Sequence, residues 1–199
     1  MIRALMIDVD GVVIRGRPKD GRPWSSRLAD DLGLDAEELQ REFFRPHWDA
    51  VVTGKSTLHD RLAPVLARIA SGLSCEDLIA YWFENDARID RRLLQEIDAL
   101  RAQGLRACLA TNQEHARAAY LMDRLGLAKH FDGIYYSADL GHQKPDAAFF
   151  QKVEKAVGIP GECLLLIDDS SANIDAARRM GWKASCWTGE DRLAELVAI

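Results

Sequence analysis

Acidic side chains form two closely spaced pairs, one near each end of the sequence. Asp8 and Asp10 are separated by one residue and followed by Gly11, and Asp168 and Asp169 are adjacent. Two carboxyl groups whose surroundings hold their pKa values apart can act as nucleophile and general acid. Adjacent carboxylates repel each other, and no cation lies close to Asp168 and Asp169 in the sequence, so a divalent ion would relieve that repulsion. The two pairs therefore predict a Mg²⁺ site with acid–base chemistry beside it.

A hydroxyl group and an amine accompany these acids. Thr111 and Asn112 end an apolar run, and Lys144 directly precedes Pro145. A hydroxyl, an ammonium and the backbone N–H groups at a helix start can together hold and neutralise a phosphoryl group. Taken alone, Lys144 is interpreted as a solvated loop residue. The joint occurrence of the acids, the hydroxyl and the amine favours a site for phosphoryl chemistry.

Each acidic pair also has a simpler interpretation. Asp and Gly are common at strand ends and in turns, and Asp168 or Asp169 could serve only as the cap of the following helix. What favours the chemical interpretation is position, because every one of these segments follows an apolar run. Ligands of open parallel sheets bind beyond the carboxyl ends of the strands.

The elements that must position these residues alternate along most of the chain. We predict strands at 3–9, 105–110, 133–136, 163–167 and 183–187, and helices at 90–102, 113–125, 146–157 and 170–180. Strands that alternate with helices of this length predict an α/β fold, with a Rossmann-like parallel sheet and helices on both faces.

Residues 15–88 interrupt this alternation and contain only helical patterns. We expect helices capped at Ser25 or Ser26, at Asp35, at Ser56 or Thr57, and at Ser74, with Pro46 ending the second of them. The simplest organisation is a small all-helical cap domain at 15–88, inserted into a catalytic core formed by 1–14 and 89–199.

Four segments together resemble the motifs of the haloacid dehalogenase superfamily. They are Asp8–Gly11, Leu109–Asn112, Lys144–Asp146 and Ile167–Ser170, and they occur in order across nearly the whole chain. The chain is most similar to the branch with a helical cap inserted after the first strand, which includes small-metabolite phosphatases and phosphoglucomutases. Val12 departs from the threonine that is frequent at this position in the superfamily.

The resemblance implies a hydrolase acting on phosphate monoesters through an aspartyl-phosphate intermediate. Asp8 would be the nucleophile, and Asp10 would protonate the leaving oxygen and later activate water. The Mg²⁺ cofactor would be held by the Asp8 carboxylate, the Asp10 carbonyl and the pair Asp168 and Asp169, with the direct contribution of each member of the pair left open. Phosphate would be bound by Thr111, Asn112 and Lys144.

Two alternatives stay open at this point. A phosphomutase of the β-phosphoglucomutase type would use the same core residues and differ in how its cap excludes water. A catalytically silent binding module would keep the fold, although the retention of Asp8 and Asp10 disfavours it. Dehalogenation is disfavoured, because superfamily dehalogenases lack an acid at the position of Asp10.

The inserted helices are expected to choose the substrate, because the core residues contact only the phosphoryl group. Arg45 and Trp48 are our candidate specificity residues, although Trp48 lies four residues from Phe44, and this spacing favours packing within a helix. The basic and aromatic character of the cap suggests a small phosphorylated metabolite such as a sugar phosphate.

Composition bounds the remaining possibilities. The 199 residues are 48% hydrophobic and 29% charged, which is a globular balance, and 26 basic against 31 acidic residues give a net charge of −5. With no Lys/Arg-rich block, we expect no nucleic-acid partner, and with no long apolar run, no membrane partner. Four scattered cysteines are typical of buried thiols. We expect a cytoplasmic protein that is a monomer or weak homodimer.

Overall fold

A single parallel sheet forms the centre of the protein. The computed structural model describes residues 1–197. The strands of the sheet are β1 (Ala4–Ile7), β2 (Arg106–Thr111), β3 (Ile134–Tyr136), β4 (Leu164–Asp168) and β5 (Lys183–Cys186). They are arranged in the order β3-β2-β1-β4-β5, and every neighbouring pair is parallel. The predicted strands are thus confirmed to within two residues at each end.

The register of the central strands brings their carboxyl ends level. Ile7 of β1 pairs with Leu109 of β2 on one side and with Ile167 of β4 on the other. The residues that follow Ile7 and Ile167 are Asp8 and Asp168, so these two acids leave adjacent strands side by side. All four residues of β1 are buried, as is typical of a strand covered on both faces.

Helices cover both faces of the sheet. Within residues 1–197 the α-helices are α1 (Leu28–Leu32), α2 (Ala36–Leu39), α3 (Arg45–Val52), α4 (Leu58–Ile69), α5 (Cys75–Asn85), α6 (Arg91–Ala102), α7 (His115–Ala119), α8 (Ser137–Leu140), α9 (Ala147–Val157), α10 (Ser171–Arg179) and α11 (Leu193–Val197). Leu5 and Ile7 face a core completed by α6 and α11, whereas Ala4 and Met6 face one completed by α9 and α10. This alternation follows from the two-residue period of a strand.

Helices α1 to α5 pack around a third, separate core. We call these five helices, with the connecting turns between residues 24 and 85, the cap helices. Their buried residues include Leu39, Leu62, Leu78 and Trp82. The predicted caps at Asp35, Thr57 and Ser74 are confirmed, since each side chain accepts a hydrogen bond from the backbone N–H three residues later.

Two details of the cap helices differ from prediction. Pro46 does not end a helix, because a π turn over Gln40–Phe44 joins α2 to α3 and the chain stays helical to Val52. A proline crowds the carbonyl four residues earlier, and the wider π turn directly before it accommodates the ring. The predicted serine cap is also wrong: Ser25 and Ser26 lie inside a 3₁₀ turn that leads into α1.

Two short linkers join the cap helices to the sheet and pair with each other. Arg15 N donates to Arg88 O at 2.9 Å, and Arg88 N donates to Gly16 O at 3.0 Å. Ile14 and Ile89 form an antiparallel bridge next to them. Because the two linkers pair with each other where the cap helices join the core, we propose that the cap domain begins at residue 15 and ends at residue 88. The last two residues of the predicted core, 198 and 199, lie outside the described residues.

No helix within residues 1–197 combines the length and the apolar character that crossing a membrane requires.

Candidate active site

Lys144 lies at the centre of the acids that follow β1 and β4. Its Nζ is 3.0 Å from Asp8 Oδ1 and 2.5 Å from Asp168 Oδ2, and it donates to Ala110 O at 2.7 Å. Burial lowers the pKa of Lys144, but the charges of Asp8 and Asp168 outweigh that effect and hold it above its ordinary value. Lys144 is therefore an ammonium ion at neutral pH, and it is 3% exposed.

Burial and the charge of Lys144 shift the pKa of Asp8 in opposite directions. Burial raises the pKa of its carboxyl group and so does the charge of Asp168, while Lys144 acts in the opposite direction. The net shift is upward, which means that an isolated Asp8 carboxylate would be costly at this position. Contact with the Lys144 ammonium keeps the anionic form accessible.

Asp168 is fully buried and has several hydrogen-bond donors around it. Its Oδ1 accepts from Ser170 N at 2.9 Å and from Asn173 Nδ2 at 3.0 Å, and its Oδ2 contacts Lys144. The sequence showed no cation near this acid because Lys144 is 24 residues away. The sequence predicts that a metal ion relieves the repulsion between Asp168 and Asp169. In the structure, Lys144 from a neighbouring loop relieves part of that repulsion.

Asp169 directs its carboxylate across the top of β1. A Cβ atom built on Gly11 would lie 2.1 Å from Asp169 Oδ2, and Gly11 has a φ of +80°. Only glycine fits here, both for the backbone angle and for the close approach of the carboxylate. Burial raises the pKa of Asp169, and the charge of Asp168 adds to this.

Three carboxylates converge at this edge of the sheet. One oxygen each from Asp8, Asp168 and Asp169 lie within 4.8 Å of one another. Hard cations such as Mg²⁺ bind carboxylate oxygens, and such an ion would offset the negative charge that Lys144 leaves unbalanced. The acidic cluster is compatible with a metal site.

Asp10 lies apart from this ion-pair network. Its Oδ2 accepts a hydrogen bond from Gln113 Nε2 at 2.7 Å. Asp10 as a whole residue is exposed to solvent, although protein atoms surround its carboxyl group. Burial of the carboxyl group, followed by the charges of Asp8 and Asp86, raises the pKa of Asp10 to about 7.

The predicted phosphate-binding residues flank Lys144. Thr111 is 1% exposed at the end of β2, and its Oγ1 lies 3.4 Å from Gln113 Nε2. Asn112 uses both ends of its amide on the backbone of Lys144: Nδ2 donates to Lys144 O at 2.9 Å, and Oδ1 accepts from Lys144 N at 2.8 Å. Asn112 thereby fixes the loop that carries the lysine, and binding of phosphate by these residues stays a prediction.

Comparison with known proteins identifies the family. A family model for haloacid dehalogenase-like hydrolases matches residues 2–181. The chain belongs to this family. Its fold is similar to the crystal structure of a haloacid dehalogenase family enzyme from Bacteroides thetaiotaomicron, solved with magnesium and inorganic phosphate, with a TM-score of 0.78, 21% identity, and 96% and 97% of the two chains covered.

Two curated relatives match part of this hydrolase. The GMP/IMP nucleotidase YrfG of Escherichia coli is 34% identical over 85 residues, which are 43% of this chain and 38% of that protein. A phosphoglycolate phosphatase of Pseudomonas fluorescens is 33% identical over 84 residues, which are 42% and 31% of the two chains. The match therefore spans less than half the length of either relative.

The candidate specificity residues of the hydrolase lie among the cap helices. Trp48 packs with Phe43, Phe44 and Trp82, at ring-centroid distances of 6.5, 5.4 and 5.7 Å. Arg45 begins α3 and is exposed. Among the described residues, no hydrogen bond or ion pair joins either side chain to the acids, so their role in substrate choice stays a prediction.

Sequence reasoning missed two polar residues that contact the acids. Gln113 was assigned only to a helix start, and Asn173 was assigned only to helix α10. Both are buried, with 3% and 8% of their surface exposed. The available signal was their distance from motif residues, since Gln113 is two residues after Thr111 and Asn173 is five residues after Asp168.

Three contacts hold the cap helices against the core near this site. Ser137 Oγ is 2.6 Å from Val52 O, and Gln143 Nε2 donates to Asp49 Oδ1 at 2.8 Å. On the other side, Arg117 is 2% exposed and donates to Phe83 O at 3.1 Å. The cap helices are thus attached to the core through the segments that follow β2 and β3.

Proposed function

We propose that this hydrolase is a Mg²⁺-dependent phosphatase that cleaves a small phosphate monoester through an aspartyl-phosphate intermediate. The observation that carries the proposal is the difference between two acids separated by one residue. Asp8 is paired with the Lys144 ammonium, whereas Asp10 has a pKa of about 7 and contacts the neutral amide of Gln113. One acid is suited to attack as an anion, and the other to donate a proton at neutral pH.

Mg²⁺ fits the donor set of the site. Asp8, Asp168 and Asp169 would hold it, together with the backbone carbonyl of Asp10, and carboxylate and carbonyl oxygens are the ligands this ion prefers. When bound, the ion would neutralise charge on the transferring phosphoryl group. Asp169 offers the more accessible carboxylate of the pair, because both oxygens of Asp168 already accept hydrogen bonds.

In the first step a carboxylate oxygen of Asp8 attacks phosphorus and the bond to the ester oxygen breaks. The leaving oxygen takes the proton of Asp10, so that the alcohol departs neutral and Asp10 becomes a carboxylate. Thr111 would bind a phosphoryl oxygen, and the Lys144 ammonium beside Asp8 would offset the charge of the phosphoryl group. The product is a phosphoryl group on Asp8.

In the second step Asp10 removes a proton from water, and that water attacks the phosphorus of the aspartyl phosphate. The bond to Asp8 breaks, inorganic phosphate leaves, and both acids return to their starting states. One acid can serve both steps because its pKa lies near neutrality. The retention of this second acid also argues against dehalogenation.

The relatives support a small phosphorylated metabolite as substrate. They are named as a nucleotidase for GMP and IMP and as phosphoglycolate phosphatases, all of which cleave alkyl phosphate esters. A sugar phosphate belongs to the same chemical class. We therefore propose an alkyl phosphate monoester, with the choice among nucleotide, sugar phosphate and phosphoglycolate set by the cap helices.

The test is phosphate release from GMP, IMP, phosphoglycolate, sugar phosphates and 4-nitrophenyl phosphate, with Mg²⁺ or with chelator. We expect release that requires the metal and that falls by at least about 10⁴-fold in the Asp8→Asn variant, because the nucleophile is removed. Asp123→Asn, which changes an exposed acid in the π turn Tyr120–Arg124 that follows α7, is the matched control and should retain wild-type rates.

Three results would contradict the proposal. Isomerisation of a sugar phosphate with little phosphate release would indicate the phosphomutase. Absence of turnover across the panel, with Mg²⁺ binding and folding intact, would indicate the silent binding module. Full activity of a correctly folded Asp8→Asn variant would exclude the covalent intermediate.

A further inference from the structure

We propose that Gln113 is a positioning residue that aligns the proton of Asp10 with the leaving oxygen. The inference rests on the proposed function, because it assigns Asp10 as the proton donor. Gln113 is 3% exposed, and its Nε2 donates to Asp10 Oδ2 at 2.7 Å. It is the first residue after the Thr111–Asn112 segment, at the turn between β2 and α7.

The direction of this hydrogen bond determines where the acid carries its proton. An amide N–H is only a donor, and a protonated carboxyl group has one oxygen that donates and one that accepts. Since Nε2 of Gln113 donates to Oδ2 of Asp10, the proton of the neutral acid is held on Oδ1. The oxygen that is not covered by Gln113 is thus the one that can donate to a substrate.

The side chain of Gln113 has no part in starting helix α7. That task falls to Glu114, whose carboxylate accepts from Ala116 N at 2.8 Å and from Arg117 N. Among the described residues, the Gln113 side chain forms hydrogen bonds only with Asp10 and with Thr111, whose Oγ1 lies 3.4 Å away. Both partners belong to the proposed machinery, so a purely structural role has little support.

The backbone of Gln113 is fixed by the residues on which the cap helices sit. Its carbonyl oxygen accepts from Ala138 N at 3.2 Å and lies 3.1 Å from Ser137 Oγ. The same Ser137 hydroxyl is 2.6 Å from Val52 O, at the end of α3. Gly54, two residues after Val52, packs closely against the same segment, since a Cβ atom built on it would lie 2.3 Å from Ala138 O. Docking of the cap helices therefore supports the residue that aligns the acid.

The test compares two esters that differ in how much their leaving groups need a proton. An alkyl phosphate expels an alkoxide unless it is protonated, whereas 4-nitrophenyl phosphate expels a stable phenolate. The quantity to compare is kcat/KM, because it reports on steps up to phosphoryl transfer and not on later hydrolysis of the intermediate. The alkyl ester is whichever substrate the wild-type panel identifies.

Gln113→Met keeps the length of the side chain and removes its donor. We expect kcat/KM for the alkyl ester to fall by about 30-fold, which is less than the roughly 10²- to 10⁴-fold that general acid catalysis supplies because Asp10 itself is retained, and for 4-nitrophenyl phosphate by less than about 3-fold. Gln151→Met, an exposed glutamine on α9, is the matched control and should change neither value. Gln113→Asn, one methylene shorter, should show the same selective loss.

Equal losses for both esters in the two Gln113 variants, with melting temperatures near wild type, would overturn the proposal and indicate general distortion of the site. Wild-type values for both esters would overturn it as well. If Gln113→Met does not fold, Gln113→Asn decides between these outcomes. Failure of the proposed function is a separate result, since it would be seen as absent phosphate release by the wild-type enzyme.

Discussion

The edge of the sheet brings charged groups together, whereas the interior of the cap helices brings aromatic rings together. At the edge, which we call the acidic rim, Asp8, Asp168 and Asp169 converge around the single ammonium of Lys144. Inside the cap helices an aromatic cluster of Trp24, Phe44, Trp48 and Trp82 packs with several centroid distances between 5.2 and 5.7 Å. Ring packing of this kind stabilises a fold, whereas crowded carboxylates oppose it.

The acidic rim and the aromatic cluster therefore differ in what they contribute, since the first is suited to catalysis and the second to stability. Carboxyl groups that are crowded and partly stripped of water have raised pKa values, which is the property that catalysis requires and that folding must overcome. The aromatic cluster offers apolar surface and no group that could react. We therefore expect changes in the acidic rim to act first on turnover, and changes in the aromatic cluster to act first on stability.

The largest effect is expected for Lys144→Met, which removes the cation of the acidic rim. Turnover should fall by about 10³-fold, because the proposed mechanism would lose the positive charge that offsets the phosphoryl group beside Asp8. The free energy of unfolding should also fall by about 3 kcal/mol, because Asp8 and Asp168 remain buried without their partner. Phosphate release and chemical denaturation measure the two effects.

Mg²⁺ provides a second measurement on this variant. Since removal of Lys144 makes the rim more negative, Mg²⁺ should raise the melting temperature of Lys144→Met by more than that of the wild type. Lys155→Met, an exposed lysine on α9, is the control and should respond as the wild type does. Equal responses in all three proteins would mean that the charge of Lys144 does not influence Mg²⁺ binding at these acids.

The acidic rim was predictable from sequence because its residues follow strands. Parallel strands that end level bring Asp8, Thr111 and Asp168 to one edge whatever the loops between them do. What local sequence could not show was the pairing of Lys144 with Asp168, since that contact depends on the path of a loop 24 residues away. For the same reason the contact of Gln113 with Asp10, across 103 residues, was missed.

The cap helices were predictable only as helices. Caps at Asp35, Thr57 and Ser74 depend on a side chain and a backbone N–H three residues later, which a sequence displays directly. The π turn before Pro46 and the face that Trp48 presents depend on packing between helices, which a sequence does not display. That is why the sequence favoured packing for Trp48 but left a role in substrate choice open.

Trp48→Ala separates these two roles of the aromatic cluster. We expect the free energy of unfolding to fall by about 2 kcal/mol, less than for a fully buried tryptophan because Trp48 is half-buried. The KM of the folded variant should stay within about 3-fold of wild type, as is usual for a residue that contacts no substrate. Thermal denaturation and steady-state kinetics are the measurements, with Trp48→Phe as the conservative control. A tenfold rise in KM at unchanged stability would instead establish Trp48 as a specificity residue.

The smallest change in the free energy of unfolding is expected for Asp10→Asn, and its sign is the opposite of that for Trp48→Ala in the cap helices. Asp10 has a pKa of about 7 in the folded protein against an ordinary value of 3.8, so the unfolded chain releases this proton first as pH rises. The wild type therefore loses stability between these two values, and above pH 7 the loss is complete. Asparagine keeps the shape and cannot ionise, so at pH 8 in chelator it should stabilise the fold.

The expected gain for Asp10→Asn is about 1 kcal/mol, well below the roughly 4 kcal/mol of the full pKa shift, because the residue as a whole is exposed to solvent. Denaturation at pH 5, 6, 7 and 8 should show a difference from wild type that grows with pH and levels off above 7, while turnover is lost. Asp123→Asn should show no such trend. A variant that is less stable than wild type at pH 8 would mean that Asp10 is held there as a stabilised carboxylate. The contrast between an acidic rim suited to chemistry and an aromatic cluster suited to stability would then not extend to this acid.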